Sequence, residues 1–148
     1  MDPYFLETLR EAAANIESFH RQQVHKNFVI NEKPGIVLGQ KYTPIEKAGV
    51  YVPGGTAAYP STVLMDVIPA KVAGVSEIVM TTPAGKDGRV NPVILAAAAT
   101  AGVTKIFKTG GAQAVGRAGL RHPRPSRRWT RSSAPATSTL PPPSRKVF

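Results

Sequence analysis

The feature that most limits the fold of this chain is an alternation of short apolar segments with longer segments at helical spacing. The strand segments are residues 36–38, 49–52, 77–81 and 104–107, and helices are predicted between the last three, over residues 61–73 and 91–101. Strands joined by helices require right-handed crossovers, which make neighbouring strands parallel. We therefore predict an α/β fold, an incomplete Rossmann-like unit whose mostly parallel sheet contains the strands near residues 50, 79 and 106.

A helix is predicted before the first strand. Asp2 can cap it and Pro3 suits its first position. Apolar residues then recur at helical spacing to about residue 24 and form one stripe: Phe5, Leu9, Ala12, Ile16 and Phe19. This N-terminal helix is expected to lie against the sheet or its helices.

The basic charge of the chain is concentrated at one end. The net charge is +10, but residues 1–115 contribute +2 and residues 116–148, which contain no acidic residue, contribute +8. The same C-terminal segment has six of the 14 prolines and almost no apolar periodicity. We predict an α/β domain over 1–115 and a disordered Pro/Arg-rich tail over 116–148, with at most short helical turns between 120 and 144.

Several classes of protein are excluded by composition. The chain has no cysteine, so it has no disulfide scaffold or cysteine-ligated zinc. It has no apolar run long enough for a membrane span and no signal-peptide pattern at its start, and a cytoplasmic location is expected. His20 and His25 are five residues apart, which does not suit a helical metal pair, and Asp66 and Asp87 are expected on the solvated surface.

Two glycine-containing turns follow predicted strands, at 52–56 and 108–113. Such turns present backbone N–H groups where ligands bind to parallel sheets. Glycine pairs are also ordinary turn residues, and neither turn matches a dinucleotide or P-loop motif. Tyr51, beside the first turn, is of a type found more often in the core than in a site, because aromatic residues favour strands. The residues alone leave both interpretations open.

Three long motifs nevertheless resemble histidinol dehydrogenase: GVYVPGGTAAYPSTVLMDVIPAKVAGVSEIVMTTP, NPVILAAAATAGV and IFKTGGAQAV. The resemblance covers nearly all of residues 8–115, and it implies that residues 1–115 form a partial nucleotide-binding α/β domain. It implies an NAD- and zinc-dependent, cytoplasmic, homodimeric enzyme that oxidises L-histidinol to L-histidine through the aldehyde. It also implies that Tyr51 and Gln113 contact the cofactor, because they occupy the tyrosine of Y-V-P-G-G and the glutamine of G-G-A-Q-A.

The resemblance also shows which motifs of the family are absent. The catalytic Glu-His pair, the zinc ligands and the substrate-binding groups of the family come after the part matched here, and an N-terminal portion is expected to be missing too. Read with single-base shifts, the tail can encode A-L-A-Y-G-T and D-K-I-V-G-P-G-N-I-Y-V of the family. We therefore hypothesise that residues 116–144 are out of frame, with the family's NAD-contacting asparagine falling at Ala136; the DNA sequence tests this.

Two other interpretations use the same residues. A non-catalytic nucleotide-binding fragment would keep the glycine turns without turnover. Nucleic-acid binding would use the arginines of the tail with Trp129 as a stacking group, and it would weaken steeply with salt. The second is the weaker alternative, because a shifted frame of a GC-rich gene also produces basic residues.

Overall fold

The computed structural model describes residues 1–54, 58–119 and 131–133. The elements in chain order are α1 (Pro3–Arg21), β1 (Phe28–Lys33), β2 (Ile36–Gln40), β3 (Lys47–Tyr51), α2 (Pro60–Val72), β4 (Glu77–Thr82), α3 (Pro92–Ala101), β5 (Lys105–Lys108), α4 (Ala112–Gly119) and β6 (Arg131–Ser133). The four-stranded sheet has the order β5-β4-β3-β6. Strand β4 is parallel to β3 and to β5, with α2 and α3 as the crossovers. The predicted parallel α/β sheet is confirmed.

The helix ends follow local signals in the sequence. Asp2 Oδ1 accepts a hydrogen bond from the Tyr4 N–H at 3.0 Å, and Asn91 Oδ1 accepts one from the Val93 N–H at 2.9 Å. Helix α3 stops at Gly102, whose φ of 80° is the left-handed conformation that favours glycine. Helix α2 continues past Pro69 to its end, so this proline does not terminate it. Helix α1 ends three residues before the predicted limit.

Both faces of the parallel sheet are covered. On one face, α1, α2 and α3 enclose a core with Val50 and Met80 at its centre. Because side chains alternate along a strand, Val79 and Tyr51 lie on the opposite face, where α4 contacts β3. Ala114 and Val115 of α4 are buried there. The result is a three-layer arrangement of helices, sheet and helix.

The predicted strand at residues 36–38 is present but lies outside the parallel sheet. It is β2 of a separate antiparallel hairpin with β1. Pro34 and Gly35 make the turn, and Gly35 has a φ of 78°. Proline followed by glycine with positive φ suits a tight turn, and a tight turn pairs consecutive strands antiparallel. The prediction overlooked this turn signal and the strand β1 before it.

The C-terminal residues lie mostly outside the described part of the chain. The disorder predicted for 116–148 therefore stays a prediction. So does the out-of-frame hypothesis with its Ala136 assignment. Two described parts of this segment are regular. Helix α4 continues to Gly119, and β6 pairs parallel with β3 through Ala48 to Val50. The prediction allowed at most short helical turns between 120 and 144, and it did not include the strand at Arg131–Ser133. The edge of β3 offers unpaired backbone groups that a further strand can use, whatever its side chains.

A line of charges joins the amino-terminal ends of three parallel strands. Lys47 Nζ lies 3.4 Å from a carboxylate oxygen of Glu77, and Lys105 donates a hydrogen bond to the other oxygen. The hydrogen bond from Lys105, followed by the charges of both lysines, holds the pKa of Glu77 below its ordinary value of 4.5. This cluster is at the opposite end of the strands from the glycine turns.

The lowered pKa of Glu77 gives a pH dependence of known sign. A carboxyl group whose pKa is lower in the folded state than in the unfolded state stabilises the protein at pH values above its ordinary pKa. This stabilisation is lost as the pH falls through the pKa of the folded state. Between about pH 6 and pH 3, urea unfolding should therefore show a smaller loss of stability for Glu77→Gln than for the unchanged chain. Glu7→Gln, at an exposed position on α1, is the control and should follow the unchanged chain. Equal losses for all three proteins would contradict the role of the lysines.

Candidate functional site

The carboxyl ends of β3, β4 and β5 meet at one edge of the sheet. Because the strands are parallel, Tyr51 is in register with Thr81, and Thr81 with Phe107. The turns that leave these strands therefore lie side by side, and each turn exposes backbone groups that the sheet does not use. Both glycine-containing turns of the sequence are at this edge.

The structure brings the two predicted cofactor residues to one turn. Tyr51 is half-buried, and its hydroxyl accepts a hydrogen bond from the Gly111 N–H at 3.2 Å. Gln113 is exposed in the first turn of α4, and its Oε1 lies beside Gly111, 2.5 Å from the point where a Cβ on that glycine would be. Gly111 has a φ of 76°, which most other residues rarely adopt. The turn therefore needs glycine at this position, and it is held from β3 by the tyrosine.

Two further glycines of these turns, Gly54 and Gly110, have a packing role. Pro83 follows β4 and lies between the turns. A Cβ on Gly54 would come within 2.6 Å of the Pro83 ring, and a Cβ on Gly110 would come within 2.6 Å of Pro83 Cβ. Neither glycine has a positive φ. The small size of Gly54 and Gly110 therefore allows the turns to close on one proline.

A cavity of about 360 Å³ opens beside Pro83, between the turn after β3 and the start of α3. Its wall includes Thr82, which is buried, and Arg89, which is exposed. Asp87 Oδ1 accepts a hydrogen bond from the Arg89 N–H at 3.0 Å and so shapes the loop before α3. Tyr51 and Gln113 do not line this cavity; they lie at the adjacent turn. The edge of the sheet thus has a cavity and a neighbouring pair of polar side chains.

Sequence reasoning missed the residues of this cavity. Asn91 is the first residue of the helix predicted over 91–101, and sequence reasoning assigned it no other role. In the structure it caps the N-terminus of α3, and this end of the helix forms part of the cavity wall. Arg89 was not singled out. Its position could have indicated a role. Arg89 is two residues before the predicted helix start at residue 91, and an arginine between a parallel strand and the next helix can reach the carboxyl edge of the sheet.

The other candidates lie away from this edge. His20 Nδ1 is 2.7 Å from Gln23 Oε1, and His25 stacks on Tyr42 with ring centroids 4.6 Å apart. Asp87 is exposed as expected, whereas Asp66 is half-buried on α2 with one carboxylate oxygen inaccessible, so its assignment to the solvated surface is wrong. Helix α2 turns that oxygen toward the protein. Within the described residues, no three His, Asp or Glu side chains are grouped to hold a metal ion.

Comparison with known proteins identifies the family. The family model described as histidinol dehydrogenase matches residues 1–120. The chain belongs to the histidinol dehydrogenase family. Its resemblance in sequence motifs, noted above, is thereby confirmed, and the chain is related to oxidoreductases.

Individual relatives agree with this assignment. Histidinol dehydrogenase of Chlorobaculum tepidum is 59% identical over 114 residues, which are 77% of this chain and 27% of the relative. The enzyme of Listeria innocua is 57% identical over 115 residues, 78% of this chain and 27% of the relative. The crystal structure of histidinol dehydrogenase from Elizabethkingia anophelis matches with a TM-score of 0.89 and 32% identity, covering 99% of this chain and 34% of that one. The chain spans about a quarter of the length of these curated relatives.

None of the helices within the described ranges is both long and apolar enough to cross a membrane.

Proposed function

We propose that this chain supplies part of the NAD-binding surface of a histidinol dehydrogenase, the enzyme that oxidises L-histidinol to L-histidine through L-histidinal. The observation that carries the proposal is the hydrogen bond from Gly111 to Tyr51, within a chain of this family. It joins Tyr51 to the turn that precedes Gln113, so both residues assigned to the cofactor belong to the carboxyl edge of a parallel sheet. That edge is where such sheets bind nucleotides.

The residues of this edge fit part of a dinucleotide. The cavity beside Pro83, about 360 Å³, is within the usual range for small-molecule sites, roughly 300 to 1,000 Å³, and is too small to enclose the whole cofactor. Arg89 in its wall carries a guanidinium that can pair with phosphate oxygens. When bound, NAD supplies the nicotinamide ring that accepts hydride from the substrate.

Tyr51 and Gln113 have different tasks in this proposal. The Tyr51 hydroxyl holds the Gly111 N–H and so fixes the turn before α4, while its ring borders the edge of the sheet. Gln113 offers an amide with both donor and acceptor atoms to a polar group of the cofactor. Neither side chain is a base or nucleophile suited to proton abstraction at neutral pH. The chain's own contribution is therefore binding and orientation of the cofactor.

The described residues do not fit a zinc site. They include no group of three potential ligands, and the two histidines near α1 are engaged with Gln23 and Tyr42. We therefore assign zinc ligation, proton transfer and histidinol binding to those parts of the family's chains that lie outside the matched segment. The cytoplasmic location and the homodimer expected from the family belong to this proposal as well.

The full chain should bind NAD weakly and should not oxidise histidinol. Tyr51→Phe removes the acceptor for the Gly111 N–H, and a hydrogen bond of this kind contributes about 0.5 to 1.5 kcal/mol, so NAD affinity should fall up to about tenfold. Gln113→Ala should weaken binding to a similar degree. Calorimetry with NAD measures both effects, and a zinc-supplemented histidinol assay that follows NADH measures turnover.

Tyr4→Phe is the matched control for this experiment. Tyr4 is exposed on α1, away from the sheet edge, and its variant should bind NAD like the unchanged chain. Equal NAD affinity in Tyr51→Phe, Gln113→Ala and the control would refute the cofactor assignment. Histidinol oxidation by the purified chain would refute its restriction to cofactor binding.

A further inference from the structure

The hairpin of β1 and β2 carries a concentration of exposed apolar side chains. Every residue of both strands is exposed. Six of them are large and apolar, with exposed fractions between 41% and 71%: Phe28, Val29, Ile30, Ile36, Val37 and Leu38. Contiguous exposed apolar surface of this kind marks an interaction site on a protein. A two-stranded hairpin is also at best marginally stable when nothing packs against it.

Both faces of the hairpin are apolar. Ile30 pairs with Leu38, so these two side chains share one face, and alternation along β1 places Phe28 on that face too. Val29 pairs with Gly39, and Val37 lies on the same, second face by alternation along β2. Antiparallel strands with one solvated face normally alternate apolar and polar residues. Apolar residues on both faces indicate strands that are covered on both sides.

We propose that the hairpin inserts into the portion of the histidinol dehydrogenase fold that lies outside this chain. The matched segment is only 27% of the Chlorobaculum relative and 34% of the Elizabethkingia structure, so the family provides a large additional body of protein. A second copy of this chain suits the hairpin less well. A two-fold contact uses one self-complementary patch, so a contact through one face leaves the other face in water.

The test uses the full chain and Chlorobaculum tepidum histidinol dehydrogenase from which the segment matching this chain has been deleted. The two are co-expressed, co-purified and titrated against each other by interferometry. Two double variants address the two faces separately. One combines Ile30→Thr with Leu38→Thr, and the other combines Val29→Thr with Val37→Thr. Threonine is β-branched and therefore suits strands, and the altered side chains lie outside the core. The control, Met65→Gln with Leu95→Gln, changes exposed apolar residues of α2 and α3.

The unchanged chain and the control should form the complex with similar affinity. Each hairpin variant should bind at least about tenfold more weakly, because each removes buried apolar contact from one face. Absence of a complex with a folded deletion protein, or a complex indifferent to the hairpin variants, would overturn the proposal. So would a dimer of this chain alone that both hairpin variants dissociate.

If the deletion protein does not fold, amide exchange in the intact Chlorobaculum enzyme decides. Slow exchange in its corresponding hairpin, against fast exchange in this chain, supports insertion, and fast exchange in both overturns it. These measurements rest on family membership alone. Because none involves NAD or histidinol, their outcome is independent of the proposed cofactor surface.

Discussion

Replacing Leu64 by alanine is expected to destabilise the chain by about 2 to 5 kcal/mol, since the change removes buried methyl groups and leaves a cavity. Leu64 is 2% exposed and lies on α2, in the core shared with α1, α3 and the sheet. The total stability of a domain is commonly about 5 to 15 kcal/mol, so this single substitution would remove a large part of it. Urea unfolding followed by circular dichroism measures the effect.

The next residue along α2 supplies the control. Met65 is 51% exposed, and both methionine and alanine form helices well. Met65→Ala should therefore change stability by no more than about 0.5 kcal/mol. If Leu64→Ala and Met65→Ala destabilise equally, the face of α2 that packs against the sheet has been assigned incorrectly.

Replacing Gly110 by alanine is expected to cost about 1 to 3 kcal/mol, because the added methyl group meets a packed neighbour. The new Cβ would be 2.6 Å from Pro83 Cβ and 3.1 Å from its Cγ. The proline belongs to the backbone turn after β4, so the whole turn before α4 must move. The same movement should carry Gln113 and the Gly111 N–H away from Tyr51 and weaken NAD binding.

Gly116→Ala is the matched control, with the opposite expected sign. Gly116 is inside α4, and no described atom lies within 4 Å of a Cβ added there. Alanine in a helix interior is favoured over glycine by about 0.5 to 1 kcal/mol, so this variant should be slightly more stable. Denaturant midpoints of the two variants compare them directly. A stable Gly110→Ala protein with unchanged NAD affinity would show that Pro83 does not constrain the turns.

The cofactor assignment depended on motif resemblance and not on local physics. Glycine pairs after strands are common, and the residues alone favoured a core position for Tyr51. The structure adds a relation that the sequence does not show, since Tyr51 and Gly111 are 60 positions apart and joined by a hydrogen bond. It also adds Pro83 as the common neighbour of both turns. Long-range contacts of this kind arise from strand register, which local patterns do not specify.

The sequence by itself determined the parallel α/β order, the helix starts at Asp2 and Asn91, and the stop at Gly102, because caps, prolines and apolar spacing act over a few residues. The sequence also contained the turn at Pro34 and Gly35 that pairs β1 with β2, although the prediction did not use it. Only the tertiary structure decided that β6 joins the edge of β3, because this pairing depends on which backbone edge is free. An apolar strand has the same local pattern whether its partner is parallel or antiparallel, so its partner is chosen by turns and by the surfaces left uncovered.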